Sequence, residues 1–194
     1  MKFSAVLIAG GKSKRFGEDK AFALWQGEPL WRHQIRKLES LGPSEVLVSC
    51  REEQNFPDNE DFSRVHDSVE DRGPLAGLAT CLKRASEPLS MVLAVDLPMM
   101  PTEFLTSILE KAKFGQGVVT RWENGFWEPL AAIYPTIEVA EIANRRLKGD
   151  DLSLQGMVSE AFEQRLISEI RLTEKEVDWF VNWNSREDLP SGGE

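Results

Sequence analysis

The sequence predicts an α/β fold: a single three-layer, Rossmann-like domain with a mostly parallel sheet. Two observations lead to this prediction. Short apolar runs alternate with amphipathic segments along the 194 residues, which is typical of a sheet covered by helices on both faces. The first apolar run, Val6–Ile8, also opens directly into a glycine-rich loop, as expected at the ligand-binding edge of an open α/β sheet. We expect the domain to span residues 1–189, with residues 190–194 as a frayed tail.

The loop after the first predicted strand combines glycines with positive charge. Its glycines and cations are Gly10, Gly11, Gly17, Lys12, Lys14, Arg15 and Lys20. Glycines let the backbone approach a ligand closely, and consecutive loop N–H groups form a concave anion site. These features favour a nucleotide phosphate chain as the ligand, although the spacing fits neither the Walker loop nor the dinucleotide fingerprint. The alternative is a glycine-rich turn with solvated basic side chains.

The first half of the chain continues as alternating helices and strands. Helical spacing of apolar residues, short β-branched runs and Gly-Pro stops define these elements. In chain order they are a helix over Pro29–Leu41, a strand over Glu45–Cys50, a polar surface loop over Arg51–Asp61, a strand over Arg64–Asp67 and a helix from Pro74 to about Arg84. Proline suits the first position of this last helix.

The second half repeats the alternation and adds a late antiparallel element. The predicted strands are Met91–Val95, Gly117–Thr120, Trp127–Tyr134 and Arg165–Leu172, and the predicted helices are Pro101–Lys113, Ile137–Leu147 and Ser153–Phe162. The stretch Trp179–Asn184 alternates, which places two asparagines on one face. Ser185 is suited to cap a final helix.

Two carboxylates follow predicted strands, at the edge where open α/β sheets bind ligands. Asp67 ends a short strand, and Asp96 ends the most continuous apolar strand of the chain and precedes Leu97-Pro98. Mg²⁺ commonly takes one or two protein carboxylates and completes its shell with water and phosphate oxygens. Asp96 is therefore a candidate magnesium ligand. The alternative for both residues is that the carboxylate only caps a turn.

Composition excludes several other classes of function. The net charge of −9 argues against a nonspecific nucleic-acid binder. Cys50 and Cys81 are isolated, as are His33 and His66, so neither metal-ligand spacing nor a disulfide framework is present. The chain enters a core strand within a few residues and has no apolar run of membrane-spanning length. We therefore expect no signal peptide, no membrane association and a cytoplasmic location.

The segment A-G-G-x-S-x-R-x-G-x-D-K over residues 9–20 resembles the signature of nucleotidyltransferases that activate sugars and cofactors. The doubled glycine followed by Glu18-Asp19-Lys20-Ala21 is most similar to the molybdenum cofactor guanylyltransferase branch. Further segments resemble that family in the same order: Gly73–Leu78 its second motif, Asp96-Leu97-Pro98 its metal-binding D-x-P, Glu128-Pro129-Leu130 with Tyr134 its substrate-side strand, and Phe180–Asn184 its F-x-N-x-N segment.

The resemblance implies transfer of GMP from GTP to the terminal phosphate of molybdopterin, with Mg²⁺ as the cofactor. The implied nucleotide-binding residues are Ile8, Ala9, Gly10, Gly11, Lys20, Ser49, Asp67 and Asp96. The implied catalytic residues are Arg15, Lys20 and Asp96, the last as metal ligand, and Asn182 and Asn184 would face the cofactor substrate. Cofactor-delivery proteins and acceptor molybdoenzymes are the implied protein partners.

Two departures from the family pattern leave alternatives open. Better-known members have an asparagine where Ser49 stands, so recognition of the base or ribose is open at that position. Ser185-Arg186 replaces the usual Thr-Pro, which we interpret as a structural change. The rival hypotheses are a cytidylyltransferase of the same cofactor, a sugar-phosphate nucleotidyltransferase, a nucleotide-binding regulator without catalysis, and a scaffold without a ligand.

Overall fold

A seven-stranded sheet forms the centre of the fold, in a computed structural model that describes residues 1–10, 19–58, 60–66 and 72–183. Its strands are β1 (Ser4–Ile8), β4 (Glu45–Cys50), β5 (Ser63–His66), β6 (Leu89–Ala94), β7 (Gly117–Arg121), β8 (Trp127–Pro135) and β9 (Ile167–Arg171). They are arranged in the order β5-β4-β1-β6-β8-β7-β9. Within this sheet, among the residues described, β8 alone runs antiparallel to both of its neighbours. The predicted mostly parallel sheet with a late antiparallel element is confirmed.

Helices cover both faces of this sheet. They are α1 (Leu30–Ser40), α2 (Pro74–Arg84), α3 (Thr102–Lys111), α4 (Thr136–Leu147) and α5 (Leu154–Glu163), with short 3-10 helices at Lys20–Phe22 and Glu174–Phe180. One apolar core lies between the sheet and α1 with α3, and the other lies between the sheet and α2, α4 and α5. Helices on both faces make the three predicted layers, and Trp31, Cys50 and Cys81 are buried as expected.

A small hairpin near the N-terminus was missing from the sequence prediction. Strands β2 (Leu24–Trp25) and β3 (Glu28–Pro29) pair antiparallel. The turn between them holds Gln26 and Gly27, both with positive φ, of 50° and 86°. Two successive positive φ values are typical of a type I′ turn. Pro29 therefore belongs to this hairpin, and the helix predicted from Pro29 begins one residue later.

The later elements agree with the prediction in type and differ at their ends. The helix predicted to reach Lys113 ends at Lys111, and the strand predicted from Arg165 begins at Ile167. Pro129 lies inside β8, where the pairing register between β7 and β8 shifts. A bulge of this kind tolerates proline, which has no N–H to donate to the ladder.

The C-terminal stretch does not keep the predicted two-residue alternation. A 3-10 helix ends at Phe180, and the next buried residue is Trp183, three positions on. Asn182 is exposed. Gly11, Arg15, Asp67, Asn184, the cap at Ser185 and the tail 190–194 lie outside the described residues. None of the helices in the described ranges has the length and apolar character needed to cross a membrane.

Candidate active site

Three neighbouring strands end at one edge of the sheet. Ile8 at the end of β1 is in register with Ser49 of β4. The ladder continues past the strands: Val95 N–H donates to Ile8 O at 3.0 Å, and Ala9 N–H donates to Ser49 O at 3.0 Å. The parallel direction of these strands therefore places Ile8, Ser49 and the turn at Asp96 side by side. Ligands of open α/β sheets bind at this type of edge.

Lys20 and Asp96 meet at this edge, although 76 positions separate them in sequence. Lys20 Nζ lies 3.2 Å from Asp96 Oδ2. The lysine side chain is 11% exposed and the aspartate side chain 30% exposed. The pair therefore combines a largely enclosed cation with a carboxylate that solvent or a ligand can still reach.

Lys20 is anchored through the residue before it. The Asp19 carboxylate caps the 3-10 helix by accepting a hydrogen bond from Ala21 N–H at 3.1 Å. The other oxygen of this carboxylate accepts from Arg51 at 2.7 Å. Arg51 directly follows β4, so an ion pair ties the segment that carries Lys20 to the central sheet. This ion pair limits the positions open to Lys20.

Gln54 holds the chain at Ala9, just before the glycine-rich segment. It is 4% exposed. Its amide Nε2 donates to Ala9 O at 3.1 Å, and its Oε1 accepts from Arg51 N–H at 2.8 Å. Gln54 and Asp19 thus restrain the chain immediately before and after the loop that lies outside the described residues. A ligand entering this loop would meet two fixed ends.

The turn at Asp96 is also held from the C-terminal segment. Trp183 N–H donates to Asp96 O at 3.0 Å, and the Trp183 ring packs against Trp25 with 5.7 Å between ring centroids. Asn182 is therefore carried beside Asp96 while its own side chain remains at the surface. The described part of the segment similar to F-x-N-x-N therefore reaches the edge where β1, β4 and β6 end.

Glu128 adds a second carboxylate to the neighbourhood of Asp96. The Trp122 indole N–H donates to Glu128 Oε1 at 2.6 Å. Burial raises the pKa of the Glu128 carboxyl; the Trp122 hydrogen bond lowers it, and the negative charge of Asp96 raises it. Leu93 of β6 pairs with Ala131 of β8, and the same register carried three residues further would place Glu128 opposite Asp96.

Of the remaining residues predicted for the nucleotide, Ile8, Ala9, Gly10 and Ser49 are described, and they lie at the same edge. Ile8 and Ala9 are each 4% exposed, Ser49 is 1% exposed, and Gly10 is partly exposed. These side chains are backed by the sheet, so mainly the backbone of this segment is open to a ligand. Among the residues described, no three His, Cys, Asp or Glu side chains form a cluster that could hold a metal ion.

Sequence reasoning missed Arg51 and Gln54. Both lie in the polar stretch that the sequence predicts as a surface loop, and Gln54 is instead buried. Their partners are 32 and 45 positions away, and local periodicity carries no information about contacts at that separation. Glu128 was noticed only as part of a segment similar to the substrate-side strand. The proline after it was the available signal, since proline inside a strand marks an irregularity.

Comparison with known proteins defines the class of protein. The sequence profile of the MobA-like NTP transferase domain matches residues 5–165. The chain belongs to this family of nucleotidyltransferases. A probable molybdenum cofactor guanylyltransferase from Opitutus terrae is 36% identical over 188 residues, covering 95% of this chain and 92% of its own.

Solved structures show the same fold. Molybdopterin-guanine dinucleotide biosynthesis protein A from Archaeoglobus fulgidus superposes with a TM-score of 0.69 at 21% identity, covering 95% of this chain and 94% of its own. The 2-C-methyl-D-erythritol 4-phosphate cytidylyltransferase from Thermus thermophilus superposes with a TM-score of 0.67 at 18% identity, covering 90% of both chains. At these identities the superpositions establish the architecture and not the substrate.

Proposed function

We propose that this protein is a molybdenum cofactor guanylyltransferase, which transfers GMP from GTP to the terminal phosphate of molybdopterin. A terminal phosphate oxygen forms a bond to the α-phosphorus, the bond from that phosphorus to the β-bridging oxygen breaks, and pyrophosphate leaves. The contact between Lys20 and Asp96 at the edge where β1, β4 and β6 end carries this proposal. This cation and carboxylate at the ligand-binding edge of the sheet support a triphosphate as the ligand.

The reaction needs no general base. The second pKa of a phosphate monoester is about 6, so the acceptor is already largely ionised at neutral pH. The protein must instead align the acceptor with the α-phosphorus and neutralise the charge that grows on the leaving pyrophosphate. The described residues fit this demand, since they bring Lys20 to the edge of the sheet on an anchored 3-10 helix.

Members of this family generally use a divalent metal, and we propose Mg²⁺ held by Asp96. The partly exposed carboxylate of Asp96 is an oxygen ligand of the type Mg²⁺ prefers, and Glu128 is a second carboxylate nearby. When bound, Mg²⁺ would stabilise negative charge on the phosphates. Lys20 would bind the same phosphates and, being paired with Asp96, would keep the carboxylate oriented toward them.

The other nucleotide contacts follow the resemblance. Ile8, Ala9 and Gly10 would line the guanine and ribose, and Gly11 would bind phosphate through its N–H. Arg15 would add positive charge at the phosphates, and Asp67 would contact the nucleotide from the end of β5. These contacts are proposed for the nucleotide-bound protein.

The acceptor would enter beside the turn at Asp96, where the C-terminal segment lies. Asn182 and Asn184 are proposed to bind molybdopterin, and the hydrogen bond from Trp183 N–H to Asp96 O supports this arrangement for Asn182. Cofactor-delivery proteins and acceptor molybdoenzymes are the proposed protein partners, in the cytoplasm. The net charge of −9 argues against a nonspecific nucleic-acid binder.

One experiment tests the reaction and the base together. The protein is incubated with Mg²⁺, molybdopterin and each of the four nucleoside triphosphates, and the dinucleotide product is identified by mass spectrometry while pyrophosphate is measured. We expect molybdopterin guanine dinucleotide from GTP. A cytosine dinucleotide from CTP would instead identify the rival cytidylyltransferase, a result that Ser49 in place of the family's asparagine leaves open. Absence of any dinucleotide would refute the proposal.

A further inference from the structure

Two side chains of α1 hold the turn that carries Asp96. Gln34 is fully buried. Its Nε2 donates to Ala94 O at 3.0 Å and to Leu97 O at 2.9 Å. Lys37, one helical turn further along, donates through Nζ to Pro98 O at 2.6 Å. The accepting carbonyls lie on both sides of Asp96 in the sequence, so the turn is restrained before and after its carboxylate.

Gln34 occupies a position that an amphipathic helix normally gives to an apolar group, and the ammonium group of Lys37 is partly desolvated. Gln34 lies in the apolar stripe of α1, between Trp31 and Leu38. An amide in such a position loses its hydration and must find partners. Burial also lowers the pKa of Lys37 to about 8, which reports the desolvation cost of its ammonium group. An apolar residue at position 34 would pack without the cost of burying a polar group. The hydrogen-bond donors of Gln34 and Lys37 therefore serve a purpose other than packing.

The helix that carries these donors is also tied to the segment of Lys20, from which the β2–β3 hairpin separates it in the chain. The 3-10 helix ends at Phe22, and α1 begins after the β2–β3 hairpin. Leu30 N–H, at the first position of α1, donates to Ala23 O at 2.9 Å. One helix thus connects the lysine to the turn of its aspartate partner. A shift of α1 would move both groups.

We infer that Gln34 and Lys37 are positioning residues, which set the Asp96 carboxylate in its place against Lys20 and toward the nucleotide phosphates. This inference rests on the proposed role of Asp96 as metal ligand and extends it to residues on another layer of the fold. Neither side chain touches the substrate. They act through the backbone of residues 94–98, because the direction of a side chain follows the backbone that carries it.

The key variant is Lys37→Met, which keeps the length and apolar stem of the side chain and removes its donor. Lys37→Arg restores a donor at the same position and serves as the rescue. Arg36→Met is the matched control, since Arg36 is exposed on the same helix and is paired with Glu28. Gln34→Met provides a second, independent test, with thermal unfolding monitored because that position is buried.

The measurements are Mn²⁺ affinity by electron paramagnetic resonance in the presence of GTP, together with kcat, KM for GTP and thermal stability. Loss of a group that orients a metal ligand typically lowers metal affinity or activity by about 10–100-fold. We expect Lys37→Met to lower Mn²⁺ affinity and kcat within that range, Lys37→Arg to recover most of the loss, and Arg36→Met to match the wild type. KM for GTP should change far less than kcat.

Asp96→Asn, measured in parallel, distinguishes a failure of the proposed metal site from a failure of the proposed positioning role. If Asp96→Asn leaves Mn²⁺ affinity unchanged, the proposed metal site is wrong. If Asp96→Asn lowers it while folded Lys37→Met and Gln34→Met proteins keep wild-type affinity and kcat, the metal site stands and the positioning role is overturned. A Lys37→Met defect that appears only in thermal stability also overturns it.

Discussion

Helices α1 and α2 have the same length and opposite roles. Each has eleven residues, and they lie on opposite faces of the sheet. The buried face of α2 consists of small and apolar residues, and its Thr80 hydroxyl donates within the helix, to Ala76 O at 2.8 Å. The buried face of α1 instead includes Gln34, which donates to carbonyls some 60 positions away.

The difference between the two helices indicates that the face covered by α1 supports the proposed site at Asp96. Along α2, burial contributes stability through apolar area, at about 25 cal/mol per Å². Along α1, Gln34 and Lys37 take positions that apolar side chains could fill, and their donors hold the turn at Asp96. Substitutions on the two helices should therefore affect different properties: stability for α2, and metal-dependent turnover for α1 and the groups it positions.

The largest effect is expected at Lys20, which α1 follows in the chain. Lys20→Ala should lower turnover by about 10²–10³-fold, the range found when one charge-stabilising donor is removed from an active site. Steady-state kinetics at saturating GTP measures it, with circular dichroism to confirm folding. Near-normal turnover would show that Lys20 does not meet the phosphates. Lys2→Ala, on an exposed residue near the N-terminus, is the control.

On the opposite face, Leu82→Ala should act on stability alone. Leu82 is 2% exposed in the core that α2 shares with the sheet. Removing a buried leucine side chain leaves a cavity and costs about 3 kcal/mol. Chemical denaturation measures the loss. At a temperature where the variant is folded, its dependence on Mg²⁺ concentration should match the wild type, and a changed dependence would break the contrast between the two helices.

Lys37 should make the stability of the protein depend on pH. Burial lowers its pKa from 10.5 to about 8. Between these values the unfolded chain holds the proton and the folded chain does not, so the free energy of unfolding rises with pH. The contribution of one proton approaches about 1.4 kcal/mol per pH unit.

Chemical denaturation of the wild type and of Lys37→Met between pH 7.5 and 10.5 gives the slope of the unfolding free energy against pH for each protein. The difference between the two slopes is the contribution of Lys37, because the contributions of all other groups cancel. His33 interacts electrostatically with Lys37 and is paired with Glu28, and both residues remain in the two proteins. Equal slopes would show that Lys37 is not buried as a charged group.

Ser49 should give the smallest effect. Ser49→Asn restores the family's asparagine, and one added hydrogen bond of about 0.5–1.5 kcal/mol changes KM for GTP by about two- to twelvefold or alters the preference between GTP and CTP. Ser49→Ala is the matched control for loss of the hydroxyl. If Asn and Ala both leave KM and base preference unchanged in folded proteins, Ser49 lies outside the nucleotide site.

The sequence predicted the layers and most elements because their signals are local. Helix α2 begins at Pro74 and ends at Arg84 as predicted, since proline marks its first position and the apolar spacing is regular. The β2–β3 hairpin was missed because strands of two residues show no periodicity. Gln26-Gly27 was the only signal for its turn, and glutamine is an unusual residue at positive φ.

Part of the proposed site could be named from the sequence for the same reason. Lys20 belongs to a local motif, and Asp96 follows a continuous apolar strand, so the sequence singled out two residues that the fold brings into contact. In the sequence, Gln34 is only a polar residue on an amphipathic helix. Its hydrogen bonds to the turn at residues 94–98 exist only in the folded chain. Glu128 and Gln54 likewise depend on partners distant in sequence, which only the folded chain brings together.

The most direct test of the account is the turnover of Asp96→Asn against Mg²⁺ concentration. Asparagine keeps the shape of the side chain and its capacity to cap a turn, and it removes the charge that favours a hard divalent cation. The account predicts a large loss of Mg²⁺-dependent turnover, a smaller loss of GTP binding and little change in thermal stability. A variant with wild-type turnover and wild-type Mg²⁺ dependence would contradict it and leave Asp96 as a turn-capping residue only.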